Sequence, residues 1–190
     1  LTLYSFSVEN WQRPKAEVAA LMGLLRRFLV EERPTLLDNG IRLKALGRVQ
    51  DLPPESVAVL RETEELTAGG EGMTLRLALS YGGRQELVEA AQALAARVAA
   101  GELPLEALDE RAIGAALYDP GMPDPDLVIR TAGEQRLSNF LLWQASYAEF
   151  YFVDELWPAF RRGHLLLALR EYHSRVRRFG RVLDQDPAET

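Results

Sequence analysis

The chain has 190 residues, 47% of them apolar and 26% charged, with a net charge of −6 and no cysteine. This composition supplies one sizeable globular core, excludes a disulfide framework or thiolate metal site, and fits a cytoplasmic protein. The acidic balance argues against a general nucleic-acid binder, and His164 and His173, the only histidines, are too few for a zinc enzyme. No apolar run approaches the length of a membrane span. The positive charge is almost all arginine, since Lys15 and Lys44 are the only lysines. Genomic base composition accounts for such a bias alone. A guanidinium is nonetheless well shaped to grip phosphate oxygens in pairs, so the position of each arginine matters.

Apolar runs alternate with helical patterns from end to end. Leu1–Phe6 reads as a strand that starts inside an apolar run without a methionine, which predicts a segment upstream of it. Pro14–Glu32 reads as a helix with proline in its first turn, and Val18, Leu21, Met22, Leu25, Phe28 and Leu29 form one stripe. Leu24 and Val30 lie elsewhere on its circumference. This unusually apolar helix either packs on both a sheet and a neighbour or lines a cavity for a long hydrocarbon. Asp38-Asn39-Gly40 is a turn before strand Ile41–Leu46, and Pro53–Leu66 is a helix closed by Gly69-Gly70. Strand Met73–Ser80 leads into helix Gly83–Ala100, with Leu87, Val88, Ala91, Leu94, Ala95 and Val98 expected on its inner face. A shorter helix near Glu110–Leu117 precedes strand Asp126–Arg130; Ser138–Ala145 is expected to be helical. Strand Glu149–Val153, a long final helix Ala159–Phe179 and a polar tail from Leu183 complete the chain. The pattern predicts an α/β fold, a five-stranded parallel sheet flanked by helices on both faces, in one domain over 1–182 with a tail at 183–190. Right-handed crossovers put every strand's carboxyl end on one rim, where such folds bind ligands.

Two rim loops gather chemistry. After the first strand come Ser7, Val8, Glu9, Asn10, Trp11, Gln12 and Arg13, and a helix cap at Ser7 or Asn10 explains part of that set. After the fourth, Arg130 and Arg136 bracket a short glycine-containing loop that ends in Leu137 and Ser138. Two guanidinium forks, a serine hydroxyl and a helix start at Ser138 would cradle a diphosphate. An arginine ending a buried strand needs some anion; Glu134 or another protein carboxylate serves as well as a ligand phosphate on this argument. Ser80-Tyr81-Gly82-Gly83-Arg84 offers a tight glycine turn, more often structural than phosphate-binding. Glu149, at a strand start, is a candidate carboxylate for a hard divalent cation.

The stretches from Phe6 to Pro14, Ser80 to Arg84 and Asp126 to Gln144, continuing through Tyr147-Ala148-Glu149 to Leu156-Trp157-Pro158, resemble the cis-prenyltransferase family of the undecaprenyl diphosphate synthase type. The likeness runs up to Arg181. It implies a magnesium-dependent homodimer that condenses isopentenyl diphosphate with an allylic diphosphate, farnesyl diphosphate above all. The product would be a long polyprenyl diphosphate, a precursor of the cell-wall lipid carrier. It further implies that Arg130, Arg136, Leu137 and Ser138 hold isopentenyl diphosphate, and that Ser7, Val8, Glu9, Trp11 and Arg13 form a loop closing over the allylic partner. Asn10 matches the residue that the family assigns as proton acceptor, although a carboxamide is not basic near neutral pH and is better suited to positioning or relay. Glu149 would complete the Mg2+ site, reaching from one subunit toward the other's. Product release implies peripheral membrane contact. The family's upstream strand ending in Met-Asp-Gly-Asn-x-Arg-Trp is not among these residues, so this stretch alone is expected to be inactive. A non-catalytic partner subunit of the same fold is the alternative, disfavoured by the presence of Arg130, Arg136 and Ser138.

Overall fold

The computed structural model describes residues 1–176. The last part of the expected final helix, the expected domain end at 182 and the tail 183–190 lie outside the described residues. The contacts group into two compact units, Leu1–Met122 and a second that begins at Pro123.

The first unit is built on a parallel sheet of strands β1 (Thr2–Ser7), β2 (Arg42–Leu46) and β3 (Thr74–Tyr81), in the order β1-β3-β2. Helix α1 (Lys15–Glu31) starts one residue after Pro14, and a short helix α2 (Arg33–Asp38), not anticipated from the sequence, continues it around Pro34. Helices α3 (Pro54–Thr67), α4 (Gly83–Ala99) and α5 (Glu110–Ala115) follow the expected order.

Strand alternation sends Leu75, Leu77 and Leu79 of β3 toward a cluster that includes Phe6, Met22, Leu29, Leu43 and Leu60. Each leucine buried there contributes about 1.5–3 kcal/mol. Val18, Leu21 and Leu25 of the α1 stripe join it, but Phe28 is exposed, with the Arg27 guanidinium 5.2 Å from its ring centroid. The outer edge of β2 is capped by α3: the N–H of Leu43 donates to Thr67 Oγ1 at 3.0 Å and that of Ala45 to Glu64 Oε1 at 2.7 Å. Side chains thus satisfy backbone donors that an uncovered edge would offer to another chain.

Helix α4 is rotated from expectation. Its buried residues are Gly83, Glu86, Ala90 and Leu94, while Val88, Ala91 and Ala95 face outward. A carboxylate takes the inner face because donors meet it there. Tyr81 Oη–H donates to Glu86 Oε2, and the Tyr118 N–H donates to Glu86 Oε1 at 3.1 Å.

The second unit pairs strands β4 (Leu127–Arg130) and β5 (Glu149–Phe152) in parallel, with Leu127 opposite Glu149 and Arg130 opposite Phe152. All five expected strands are present and all their pairings are parallel. The expected helix over 138–145 does not form. Ser138, Asn139 and Leu141 have φ of 52°, 62° and 47°, left-handed values that break a right-handed helix, and turns occupy 138–147. Helix α6 spans Arg162–Ser174 rather than starting at Ala159. Trp157–Ala159 forms a separate 3₁₀ turn, and the Arg161 N–H donates to His164 Nδ1 at 2.9 Å where α6 begins. At its end Arg175 turns extended, and its Nη1 donates to the Phe150 carbonyl at 2.8 Å.

Gly47 follows β2 with φ +120°, and a Cβ there would sit 2.4 Å from the Leu79 carbonyl oxygen. Gly47→Ala is expected to cost about 2 kcal/mol or more, from the collision and the backbone conformation together. Urea unfolding would read this as a lower midpoint at unchanged slope; an unmoved midpoint would mean that the β2–β3 approach is not rigid.

Candidate functional site

In the first unit the carboxyl end of β1 passes into a 3₁₀ turn, Val8–Gln12, which holds most of the predicted loop. The Ser7 N–H donates to Asn10 Oδ1 at 3.0 Å, so Asn10 is a local cap and its amide is oriented by the backbone. Trp11 packs edge-on against Phe6, with ring centroids 4.9 Å apart, and its Nε1–H donates to Ser80 Oγ at 2.9 Å. Glu9 and Arg13 are exposed and Val8 is half-buried; Arg13 pairs with Glu17 at 2.8 Å one helical turn on. Such a surface pair is worth little and yields readily to a stronger anion.

Ser80, which opens the glycine turn read from the sequence, completes this rim together with Arg48, Asp51, Glu89 and Tyr118, which were not singled out. Ser80 Oγ–H donates to Asp51 Oδ2 at 3.3 Å, and Asp51 lies 3.1 Å from Arg48 Nε. Arg48 Nε is also 3.4 Å from Glu89 Oε1, and Tyr118 Oη donates to Glu89 Oε2 at 3.0 Å. Burial, then the hydrogen bond and charge of Glu89, push the Tyr118 hydroxyl well above its usual range, so it stays a neutral donor. Nothing in the turn Arg48-Val49-Gln50-Asp51 marks it as chemical by residue type. Its importance is legible only once the strand ends are brought together.

In the second unit, Arg130 ends β4 and its guanidinium donates to Glu134; Arg136 donates to the other oxygen of the same carboxylate. The two predicted arginines therefore converge on one anion. The Arg130 hydrogen bond, aided by both positive charges and only partly opposed by burial, holds the Glu134 carboxyl below the ordinary glutamate range. The loop that presents them is fixed to the segment after β5. The Ala132 N–H donates to the Glu155 carbonyl at 2.8 Å and the Gly133 N–H to the Val153 carbonyl at 2.9 Å. Gly133 has φ +63°, and a Cβ on it would come 3.1 Å from Asp154 Oδ1. Leu137 and Ser138 follow directly, outside any helix, and Ser138 takes left-handed backbone instead of a helix mouth. Glu149 lies elsewhere in the unit, at the amino end of β5, where Arg175 Nη1 donates to its Oε2 at 2.9 Å. Among the described residues no three acidic or histidine side chains gather as a cation site.

The fold is a parallel α/β one, and the loop after β4 places two guanidiniums around one carboxylate. Comparison with known proteins specifies the family. Residues 1–180 match the family described as "Putative undecaprenyl diphosphate synthase". The isoprenyl transferase of Geobacter sulfurreducens is 47% identical over 185 residues, 97% of this chain and 75% of that protein. The (2E,6E)-farnesyl-diphosphate-specific ditrans,polycis-undecaprenyl-diphosphate synthase of Micrococcus luteus is 46% identical over 180 residues, 95% of this chain and 71% of that one. Lavandulyl diphosphate synthase from Lavandula x intermedia, solved in complex with dimethylallyl diphosphate, superposes with a TM-score of 0.92 at 40% identity, covering 95% of this chain and 78% of that one. The chain belongs to the cis-prenyltransferase family, of the undecaprenyl diphosphate synthase type.

The Glu134 ion pairs have a pH signature. A carboxyl with a lowered folded-state pKa adds stability above its unfolded value, near 4.3, and loses it as pH falls through the folded-state value. Carboxyl NMR titration of Glu134 is expected to give a midpoint below that of free glutamate, moving upward in Arg130→Ala. A midpoint that ignores Arg130 would dissolve the clasp.

Proposed function

We propose that the protein lengthens an allylic diphosphate, farnesyl diphosphate first, by cis condensation with isopentenyl diphosphate, making a long-chain polyprenyl diphosphate that precedes the cell-wall lipid carrier. The convergence of Arg130 and Arg136 on one carboxylate carries this reading. A site shaped to hold two anionic oxygens between two guanidiniums suits a diphosphate, which would replace Glu134. The family match across 1–180 supports treating both units as one cis-prenyltransferase domain.

In the reaction the allylic carbon–oxygen bond breaks and diphosphate departs with the electron pair. The alkene of isopentenyl diphosphate gives its π electrons to that carbon, and loss of a neighbouring proton restores a double bond. Arg130 and Arg136, with Leu137 and Ser138, hold the isopentenyl head group. Ser7, Val8, Glu9, Trp11 and Arg13 handle the allylic partner, where Arg13 stabilises charge on the leaving group. Asn10, its amide set by the Ser7 backbone, orients substrate and passes the proton toward a diphosphate oxygen, since a carboxamide does not keep it. Leu24 and Phe28, exposed one turn apart on α1, offer apolar surface to a growing chain.

Magnesium ordinarily takes one or two carboxylates and completes its shell with phosphate oxygens and water, so Glu149 is a protein donor of the right type and would complete such a site. When bound, the ion neutralises charge on the departing diphosphate. Glu149 starts β5 while Arg130 ends the paired β4, which favours Glu149 serving the second copy in a homodimer. Leu166, Leu167 and Trp157 are 53%, 56% and 59% exposed, apolar surface that a partner copy would cover. The same reading sets the enzyme in the cytoplasm, touching the membrane face to release product; no helix among the described residues is long and apolar enough to cross it. The presence of Arg130, Arg136 and Ser138 weighs against a non-catalytic partner subunit.

Labelled isopentenyl diphosphate with farnesyl diphosphate, given to the full-length enzyme, tests the activity, and the variants that follow are made in it. Arg130→Ala is expected to raise KM for isopentenyl diphosphate at least tenfold; an unchanged KM with lowered turnover removes its head-group role. Glu149→Gln is expected to shift the Mg2+ titration to higher concentration. Mixing R130A and E149Q protomers should restore up to half the activity per mixed dimer, because one of its two sites is then intact. No recovery on mixing would put Glu149 in its own subunit's site or outside both.

A further inference from the structure

Strand β3 carries an irregularity at its carboxyl end. Across the β1–β3 pair Phe6 faces Leu79 and the next residue, Ser7, faces Tyr81, so Ser80 is an extra residue without a partner on β1. It is fully buried and its φ is 48°. A non-glycine residue held at positive φ costs of order 1–3 kcal/mol, and bulges of this kind re-aim a side chain beside functional sites. Here the re-aimed group is a hydroxyl with both hydrogen-bonding roles filled: it accepts from Trp11 Nε1–H at 2.9 Å and donates to Asp51 Oδ2 at 3.3 Å.

The surroundings hold that arrangement in place. The Arg48 N–H donates to the Ser80 carbonyl at 3.3 Å, and only a glycine at position 47 lets the β2 turn come close enough. Arg48 Nε stands 3.1 Å from Asp51 Oδ2 without hydrogen-bond geometry, so its charge, and not a bond, favours the carboxylate that accepts from the hydroxyl. The direction of the chain follows from these donors. An indole N–H can only donate, so Ser80 must accept from it; its own proton must then go to an acceptor, and the ionised Asp51 is acceptor-only.

We infer that Ser80 and Asp51 are positioning residues: the bulge and its carboxylate set the indole of Trp11, and through it the turn Val8–Gln12 that takes the allylic diphosphate. This rests on the substrate role of that turn given under Proposed function. The strain at Ser80 is then the cost of aiming one hydroxyl, and the Ser80–Asp51 pair tunes allylic affinity without touching substrate.

The test uses the protein with Ser80→Ala, Asp51→Ala, Asp51→Asn, Trp11→Phe and the Ser80→Ala/Trp11→Phe pair. The chain has three tryptophans, so three indole N–H signals are expected in a 1H–15N spectrum, with that of Trp11 assigned by its loss in Trp11→Phe. Ser80→Ala should move that signal upfield and speed its exchange with water at least tenfold. It should also raise KM for farnesyl diphosphate about three- to tenfold while leaving KM for isopentenyl diphosphate within twofold. Asp51→Ala, on a partly exposed side chain that burial does not make essential to folding, should do the same to a smaller degree. Asp51→Asn keeps an acceptor oxygen and should restore most of the effect. Adding Ser80→Ala to Trp11→Phe should change KM less than twofold. Multiplicative effects in the pair, an unmoved indole signal in Ser80→Ala, or an Asp51→Asn variant as impaired as Asp51→Ala would each overturn the inference. Absence of condensation in the unaltered full-length enzyme would instead remove the substrate reading of the turn, while the indole measurements would still report whether Ser80 and Asp51 set Trp11.

Discussion

A guanidinium that leaves water must find an anion, and the loop after β4 is organised around that requirement. Arg130 is set at the end of a strand with its side chain 28% exposed, and Arg136 returns six positions later to the same carboxylate. Two positive groups this near each other repel unless something negative sits between them. Glu134 fills the gap in the ligand-free chain, and the backbone is arranged to allow it. Ala132 and Gly133 take left-handed φ of 66° and 63°, and both N–H groups are tied to the segment after β5. The loop is held from outside, so exchange of one anion for another need not cost the loop its shape.

How much of this could be read beforehand follows from which residues carry periodic signals. The five strands, their sequence along the chain and the parallel pairing within each unit were legible because apolar runs, turn residues and helical stripes alternate without ambiguity. The pairing of Arg130 with Glu134 was legible as one of two alternatives, since a buried cation requires some partner but does not say which. Two features were not. The stretch after Ser138 has helical composition, and only tertiary context turns Ser138, Asn139 and Leu141 left-handed; no local propensity announces it. The inner face of α4 was misplaced because periodicity counts apolar residues, whereas Glu86 is buried by meeting Tyr81 and the Tyr118 backbone, partners distant in fold or outside any apolar count. The same blindness hid Asp51 and its pairing with Ser80. Polar networks are made by strand ends that the sequence does not show to be neighbours.

The register of the β4–β5 pair constrains the chemistry further. Leu127 lies opposite Glu149 and Arg130 opposite Phe152, so Glu149 and Arg130 are separated by three residues along the strand direction. That is about 10 Å of backbone, and in a parallel pair the two residues sit at opposite ends. The register alone therefore does not bring the Glu149 carboxylate to the Arg130 guanidinium; side-chain reach or a second strand would have to close the distance. Arg175 Nη1 donates both to Glu149 Oε2 and to the Phe150 carbonyl, which holds the carboxylate at the strand's start and balances its charge. Each charged group is thus balanced within its own unit, Glu134 between the two arginines and Arg175 beside the glutamate, and an anion at the first or a cation at the second would have to displace an internal partner.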